Sequence, residues 1–150
     1  MLQGIGTVEG DVSNSGGTVA PGDSVGTLHL LNDYLQGAGG SIGIELGGTT
    51  PGSGFDVLDV GGSASLGGTV AVSLLNGFTP TVGDMFIFLQ AGSITSTFDA
   101  VTCAGCGSNF DVVYGSDFAA LQVAAVPLPA SGWLLGVAFV ILASQRRRRG

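Results

Sequence analysis

Ser41-Ile42-Gly43-Ile44-Glu45-Leu46 is the stretch on which the fold turns. Its apolar residues fall at every second position. An extended chain therefore puts Ile42, Ile44 and Leu46 on one face and Ser41, Gly43 and Glu45 on the other. That is a strand with one covered face. The glycine before it belongs to a recurring step: Gly6-Thr7-Val8, Gly17-Thr18-Val19, Gly26-Thr27-Leu28 and Gly40-Ser41-Ile42. The spacings are irregular, so the repeat is degenerate. Short strands and turns at this rhythm predict a β-solenoid, in which each coil stacks on the last.

All-β patterning continues downstream. The run from Gly47 to Gly54 is glycine-rich, contains Pro51 and reads as a loop. Phe55 to Val60, Ala64 to Leu66 and Thr69 to Leu75 follow as strands, with Val70, Val72 and Leu74 on one face. Asn76-Gly77 signals a turn. Met85-Phe86-Ile87-Phe88-Leu89 is an unbroken apolar run, which predicts a strand covered on both faces. Phe98 to Val101, Phe110 to Tyr114 and Phe118 to Val123 complete the expected strands. No segment before Pro129 has a helical period.

Composition narrows the function classes. The 150 residues include 28 glycines and no lysine, and the formal net charge is −7. All four arginines lie at Arg146 to Arg149, so residues 1–145 carry eleven acidic groups and no lysine or arginine. Such a body cannot neutralise phosphates, which excludes a nucleic-acid partner. Glycine and acid together can mean disorder, but apolar residues make up 45% of the chain and alternate with polar ones, a pattern that buries surface.

The last 25 residues are of another kind. Val126-Pro127-Leu128-Pro129 is punctuated by two prolines, apolar residues run from Trp133 to Ala143, and Arg146, Arg147, Arg148 and Arg149 follow. No charge lies between Asp117 and Arg146. Pro129 can open a helix, since its missing N–H would be unpaired there anyway. A helix over 129–145 is about 25 Å long, at the lower edge of what spans a bilayer. The arginines sit where they set topology. The chain thus divides into an all-β body, residues 1–125, and a tail, residues 126–150, with a transmembrane helix over 129–145 and a basic end at 146–149.

The order of these parts resembles the PEP-CTERM protein-sorting signal, and Val126 to Ala130 resemble its VPLPA-type variant. The resemblance covers about a sixth of the chain. It implies a bacterial envelope protein, single-pass in the membrane until its tail is read and cut by an exosortase-type membrane enzyme, then released to the cell surface. The physical logic is that of a temporary anchor. Met1-Leu2-Gln3-Gly4 has no basic n-region and no apolar h-region. An exported protein therefore implies a true start upstream, with this chain as the C-terminal part of a longer one. The body resembles the passenger repeats of autotransporters through Pro21 to Leu28, Ser41 to Leu46, Phe55 to Val60, Leu66 to Val70, Gly77-Phe78 and Val82 to Asp84. That resemblance implies a parallel β-helix closed by a sheet-like C-terminal cap. No membrane β-barrel pattern follows it; the sorting tail stands in that place.

Four constellations could carry chemistry. Gly22-Asp23-Ser24-Val25-Gly26 matches the hydrolase elbow G-x-S-x-G, but Pro21 precedes it, β-patterned residues follow, and the only histidine is His29. It reads as a turn between coils, with His29 facing solvent. Gly52 to Leu58 approaches the calcium-binding nonapeptide, with Pro51 in place of the first glycine. That chemistry needs adjacent copies, and there is one. Asp56 and Asp59 are three apart on a strand and face opposite sides, and the other carboxylates, among them Asp11, Glu45, Asp84, Asp99, Asp111 and Asp117, read as a solvated acidic surface. Cys103-Ala104-Gly105-Cys106 lies in a glycine loop with too few other ligands for zinc. In an exported protein it reads as a disulfide stapling the turn between the Phe98 and Phe110 strands.

The expectation is an exported structural or adhesin-like surface or matrix protein with no catalytic residue, metal or cofactor. Its partners would be the membrane, the sorting enzyme and, as a candidate ligand, extracellular polysaccharide. The alternatives are a calcium-dependent polysaccharide-binding module and a non-catalytic fragment of a β-helix polysaccharide-active enzyme. Lyases of that shape need a lysine or arginine base and clustered acids, and residues 1–145 offer neither.

Overall fold

Three short strands make one turn of this chain, and each turn lies on the one before. The computed structural model describes residues 1–125, and every regular element there is a strand. The first coil holds β1 (Leu2–Gly4), β2 (Gly6–Val8) and β3 (Val12–Asn14). The second holds β4 (Thr18–Pro21), β5 (Thr27–Leu30) and β6 (Tyr34–Gln36). The third holds β7 (Ser41–Leu46), β8 (Val57–Val60) and β9 (Ser63–Ser65), and the fourth β10 (Thr69–Leu74), β11 (Met85–Gln90) and β12 (Ser93–Ile94). After β13 (Ala100–Thr102) the pattern changes to β14 (Asn109–Tyr114) and β15 (Phe118–Ala124).

Corresponding strands pair in three sheets. The first runs β1-β4-β7-β10-β13, the second β2-β5-β8-β11-β15-β14, and the third β3-β6-β9-β12. Pairing is parallel throughout the first and third sheets. In the second it turns antiparallel only at β11–β15 and β14–β15. The described residues are therefore all-β with parallel sheets, and no helix occurs among them.

The register explains the glycine-hydroxyl-aliphatic steps. Thr18, Ser41 and Thr69 stand opposite one another at the start of β4, β7 and β10, and the next residues, Val19, Ile42 and Val70, stack inward. Thr18 and Ser41 hydroxyls meet at 3.0 Å on the outer side. Leu28, Leu58 and Leu89 form a second inward stack and Leu30 and Val60 a third. Burying each such side chain stabilises the fold by roughly 1.5–3 kcal/mol. The coil length grows along the chain, from the step Leu2 to Val19 to the step Val70 to Val101, which is why no fixed period appears in the sequence.

Several expected strands shift. Phe55 and Phe98 lie outside strands, since β8 starts at Val57 and β13 at Ala100. Phe55 only bridges to Leu46 and Pro51, as the chain returns beside β7, and the Phe98 N–H is taken at 2.8 Å by the Tyr114 hydroxyl. The apolar run at β11 is not covered on both faces: Met85 is 46% exposed while Phe86, Phe88 and Leu89 are buried. A register shift between Ile87 and Leu89 against β15 accounts for this. The bulge lets two consecutive residues, Phe88 and Leu89, both face the core. The run is apolar because the alternation changes phase within it.

Candidate functional site

Corners between strands leave backbone N–H groups without sheet partners, and such groups need acceptors. Acidic side chains supply many of them. Asp11 Oδ1 accepts from Asp33 N at 3.0 Å, and Asp33 Oδ1 accepts from Ser63 N at 2.8 Å, at equivalent corners of successive coils. Asp99 Oδ2 accepts from Gly68 N at 2.7 Å, and Asp84 Oδ2 from Thr81 N at 2.9 Å. The expectation of a merely solvated acidic surface is thus corrected for Asp11, Asp84 and Asp99. Their carboxylates stitch turns, which one charged hydrogen bond does better than one neutral one.

Asp56 is the extreme case. It is 1% exposed, with Oδ1 accepting from Gly26 N at 2.9 Å and Oδ2 from Glu45 N at 2.8 Å. Burial pushes its pKa up to about 7; the two N–H donors pull against that, and the Glu45 charge adds to it. These bonds also settle two motifs. The acid of the calcium-like nonapeptide spends both oxygens on backbone N–H groups. The glycines of Gly22-Asp23-Ser24-Val25-Gly26 seat that carboxylate: Gly22 has φ +87°, and a Cβ there would lie 2.5 Å from Gly26 N and 2.9 Å from Asp56 Oδ1. No helix follows Ser24, as a nucleophile elbow requires.

A second constellation lies on the outer face of the second sheet. The register places Thr7 opposite His29, His29 opposite Asp59, Asp59 opposite Gln90 and Gln90 opposite Phe118. One residue from each of five adjacent strands therefore forms a row across the sheet. Leu28, Leu30, Leu58, Val60 and Leu89 on either side along the strands are buried, so the row faces out. His29 Nδ1 and Asp59 Oδ2 are 2.9 Å apart, with side chains 47% and 45% exposed. A groove of about 440 Å³ adjoins the row, lined by Asp59, Gln90, Asp117 and Phe118 among others. His29 faces solvent as expected, but its pairing with Asp59 and the whole row escape sequence reading. Thr7, His29, Asp59 and Gln90 lie at unequal separations, and no local motif joins them.

Cys103 and Cys106 are disulfide-bonded, with Cα atoms 5.6 Å apart, in the loop between β13 and β14. Gly105 and Gly107 take φ of 70° and 66°, conformations that open the turn for the bridge. Among the described residues, no group of three or more histidine, cysteine or acidic side chains could hold a metal ion. The sorting residues Val126, Pro127, Leu128 and Pro129, the expected helix over 129–145, and Arg146, Arg147, Arg148 and Arg149 lie outside the described residues. Neither protein-family models nor curated proteins match this chain.

Proposed function

We propose that this chain is an exported structural or adhesin-like component of a bacterial cell surface or extracellular matrix, held at the membrane by a PEP-CTERM-like tail until an exosortase-type enzyme removes it. The observation that carries this reading is the order of the tail: Val126-Pro127-Leu128-Pro129, an apolar segment, then Arg146 to Arg149. The body fits a scaffold. We read residues 1–125 as a parallel β-helix, its coils stitched by backbone and corner carboxylates and its last parallel strand followed by an antiparallel pair that serves as a cap. The acid of the calcium-like stretch and the glycines of the hydrolase-like stretch have structural work, which favours a non-catalytic role.

In the proposed topology the arginines stay cytoplasmic and Val126 to Pro129 lie at the outer face. Pro127 and Pro129 hold Val126 and Leu128 extended, the conformation a membrane-embedded peptidase binds. The test is an epitope inserted at the exposed Asn76-Gly77 turn, followed by fractionation and sizing in a host that has the sorting enzyme. Replacing Pro127 and Pro129 with alanine is expected to leave insertion intact and accumulate the uncut form in the membrane. Replacing Arg146 to Arg149 with glutamine is expected to weaken retention and orientation. A mature protein that keeps its arginine end, with or without the prolines, refutes the sorting function and leaves a permanent anchor.

A further inference from the structure

The row Thr7-His29-Asp59-Gln90-Phe118 has the properties of a binding face rather than of a fold element. Corner acids elsewhere each give an oxygen to a backbone N–H group at a turn, whereas here hydrogen-bonding side chains face solvent from the middle of a sheet. We propose that this row and the groove beside it bind a neutral, hydroxyl-rich polysaccharide laid across the strands of the second sheet. Strands are about 4.8 Å apart, so five of them present roughly 19 Å of regularly spaced contacts, the reach of a short oligosaccharide.

The chemistry of each member fits. The His29 contact at 2.9 Å holds one Asp59 oxygen and fixes the carboxylate, leaving the other oxygen to accept from sugar hydroxyls. Gln90 and Thr7 each donate and accept. Phe118, half-buried at the end of the row, offers an apolar face to sugar C–H groups. All five sit on or at the end of paired strands, so little ordering is lost on binding.

The same surroundings exclude rivals. A polyuronate or nucleic acid meets a body with no lysine or arginine and eleven acids, and is repelled. A peptide added as a strand pairs along a sheet edge, which in this row is β2 alone, because the backbones of β5, β8, β11 and β15 are paired on both sides; it would not lie across the row. The site works whether or not the tail is cut, and its binding is measured apart from tail processing, so either can fail alone.

The test is calorimetry of the full chain in lauryl dimethylamine oxide, a detergent without sugar, against cellohexaose, mannohexaose and a hexamer of galacturonate. At least one neutral hexasaccharide is expected to bind, and the galacturonate hexamer is expected not to. Gln90→Ala and Asp59→Asn are each expected to weaken binding tenfold or more with thermal unfolding little changed. Ser73→Ala, exposed on the first sheet, is expected to change it less than twofold. Absence of binding to both neutral sugars overturns the site. So does equal binding of galacturonate, or a loss in Ser73→Ala that matches that in Gln90→Ala.

Discussion

Asp56→Asn changes one atom in the core of the third coil and is expected to change the pH profile of the whole fold. In the unfolded chain the carboxyl titrates at its ordinary 3.8, and in the folded chain at about 7. Below pH 3.8 both states are protonated and the group has no net effect. Between the two values the folded state holds a proton that the unfolded state has released, so stability falls as pH rises and levels off above about 7. At 1.36 kcal/mol per unit, the interval from pH 5 to the folded value amounts to about 3 kcal/mol. Asparagine does not titrate. It keeps one acceptor for Gly26 or Glu45 and turns an N–H₂ toward the other donor, which lowers stability by a roughly constant 1–3 kcal/mol. The assay is urea unfolding of the full chain in a mild detergent at pH 5, 6, 7 and 8, for both proteins. The wild type is expected to lose about 3 kcal/mol more than the variant across that range. Parallel profiles would refute the assignment and mean that the N–H donors, rather than burial, set the carboxyl's charge.

Three further outcomes are expected. Gly22→Ala, at φ +87° against Asp56, is expected to destabilise by about 2 kcal/mol or more, whereas Ser24→Ala should be near neutral; an equally large loss of stability in the serine variant would refute the assignment of the turn to its glycines. Non-reduced mass spectrometry of the exported protein is expected to show one Cys103–Cys106 bridge. Replacing both cysteines with alanine should cost about 2 kcal/mol in the loop-entropy treatment, and two freely alkylatable thiols in the native protein would rule the bridge out. The body freed of its tail is expected to self-associate as pH falls toward ~4, where carboxylates protonate and repulsion is lost; light scattering unchanged down to pH 3 argues against it.

Alternation within a strand is a local property, and it was readable wherever one face is covered, as in Ser41 to Leu46. The phase change inside β11 was not readable, because a bulge and a strand covered on both faces give the same unbroken apolar run. Asp56 and Asp59 face opposite sides, as their spacing implies, but which of the two is buried depends on the return of the chain beside β7, which brings Asp56 to Glu45 N and Gly26 N. The row across the second sheet depends on which residue of each coil meets which of the next. Coils of unequal length hide that register from any fixed-period search. The Cys103–Cys106 pairing could be expected from the sequence because the two cysteines are three positions apart in a loop that carries its own glycines.

Each coil is hydrogen-bonded to the coil before it and the coil after it, and to little else. Under tension such a stack need not fail at once. A pull that peels the chain from the β1 end breaks the short pairings of one turn while leaving those beyond it intact. An extended chain spans about 3.4 Å per residue, so the turn from Leu2 to Val19 releases roughly 60 Å of slack and the turn from Val70 to Val101 roughly 100 Å. The molecule would pay out length in steps that grow as it unravels, and could rewind the same way when the load drops. At the cell surface proposed above, that behaviour would act as a shock absorber.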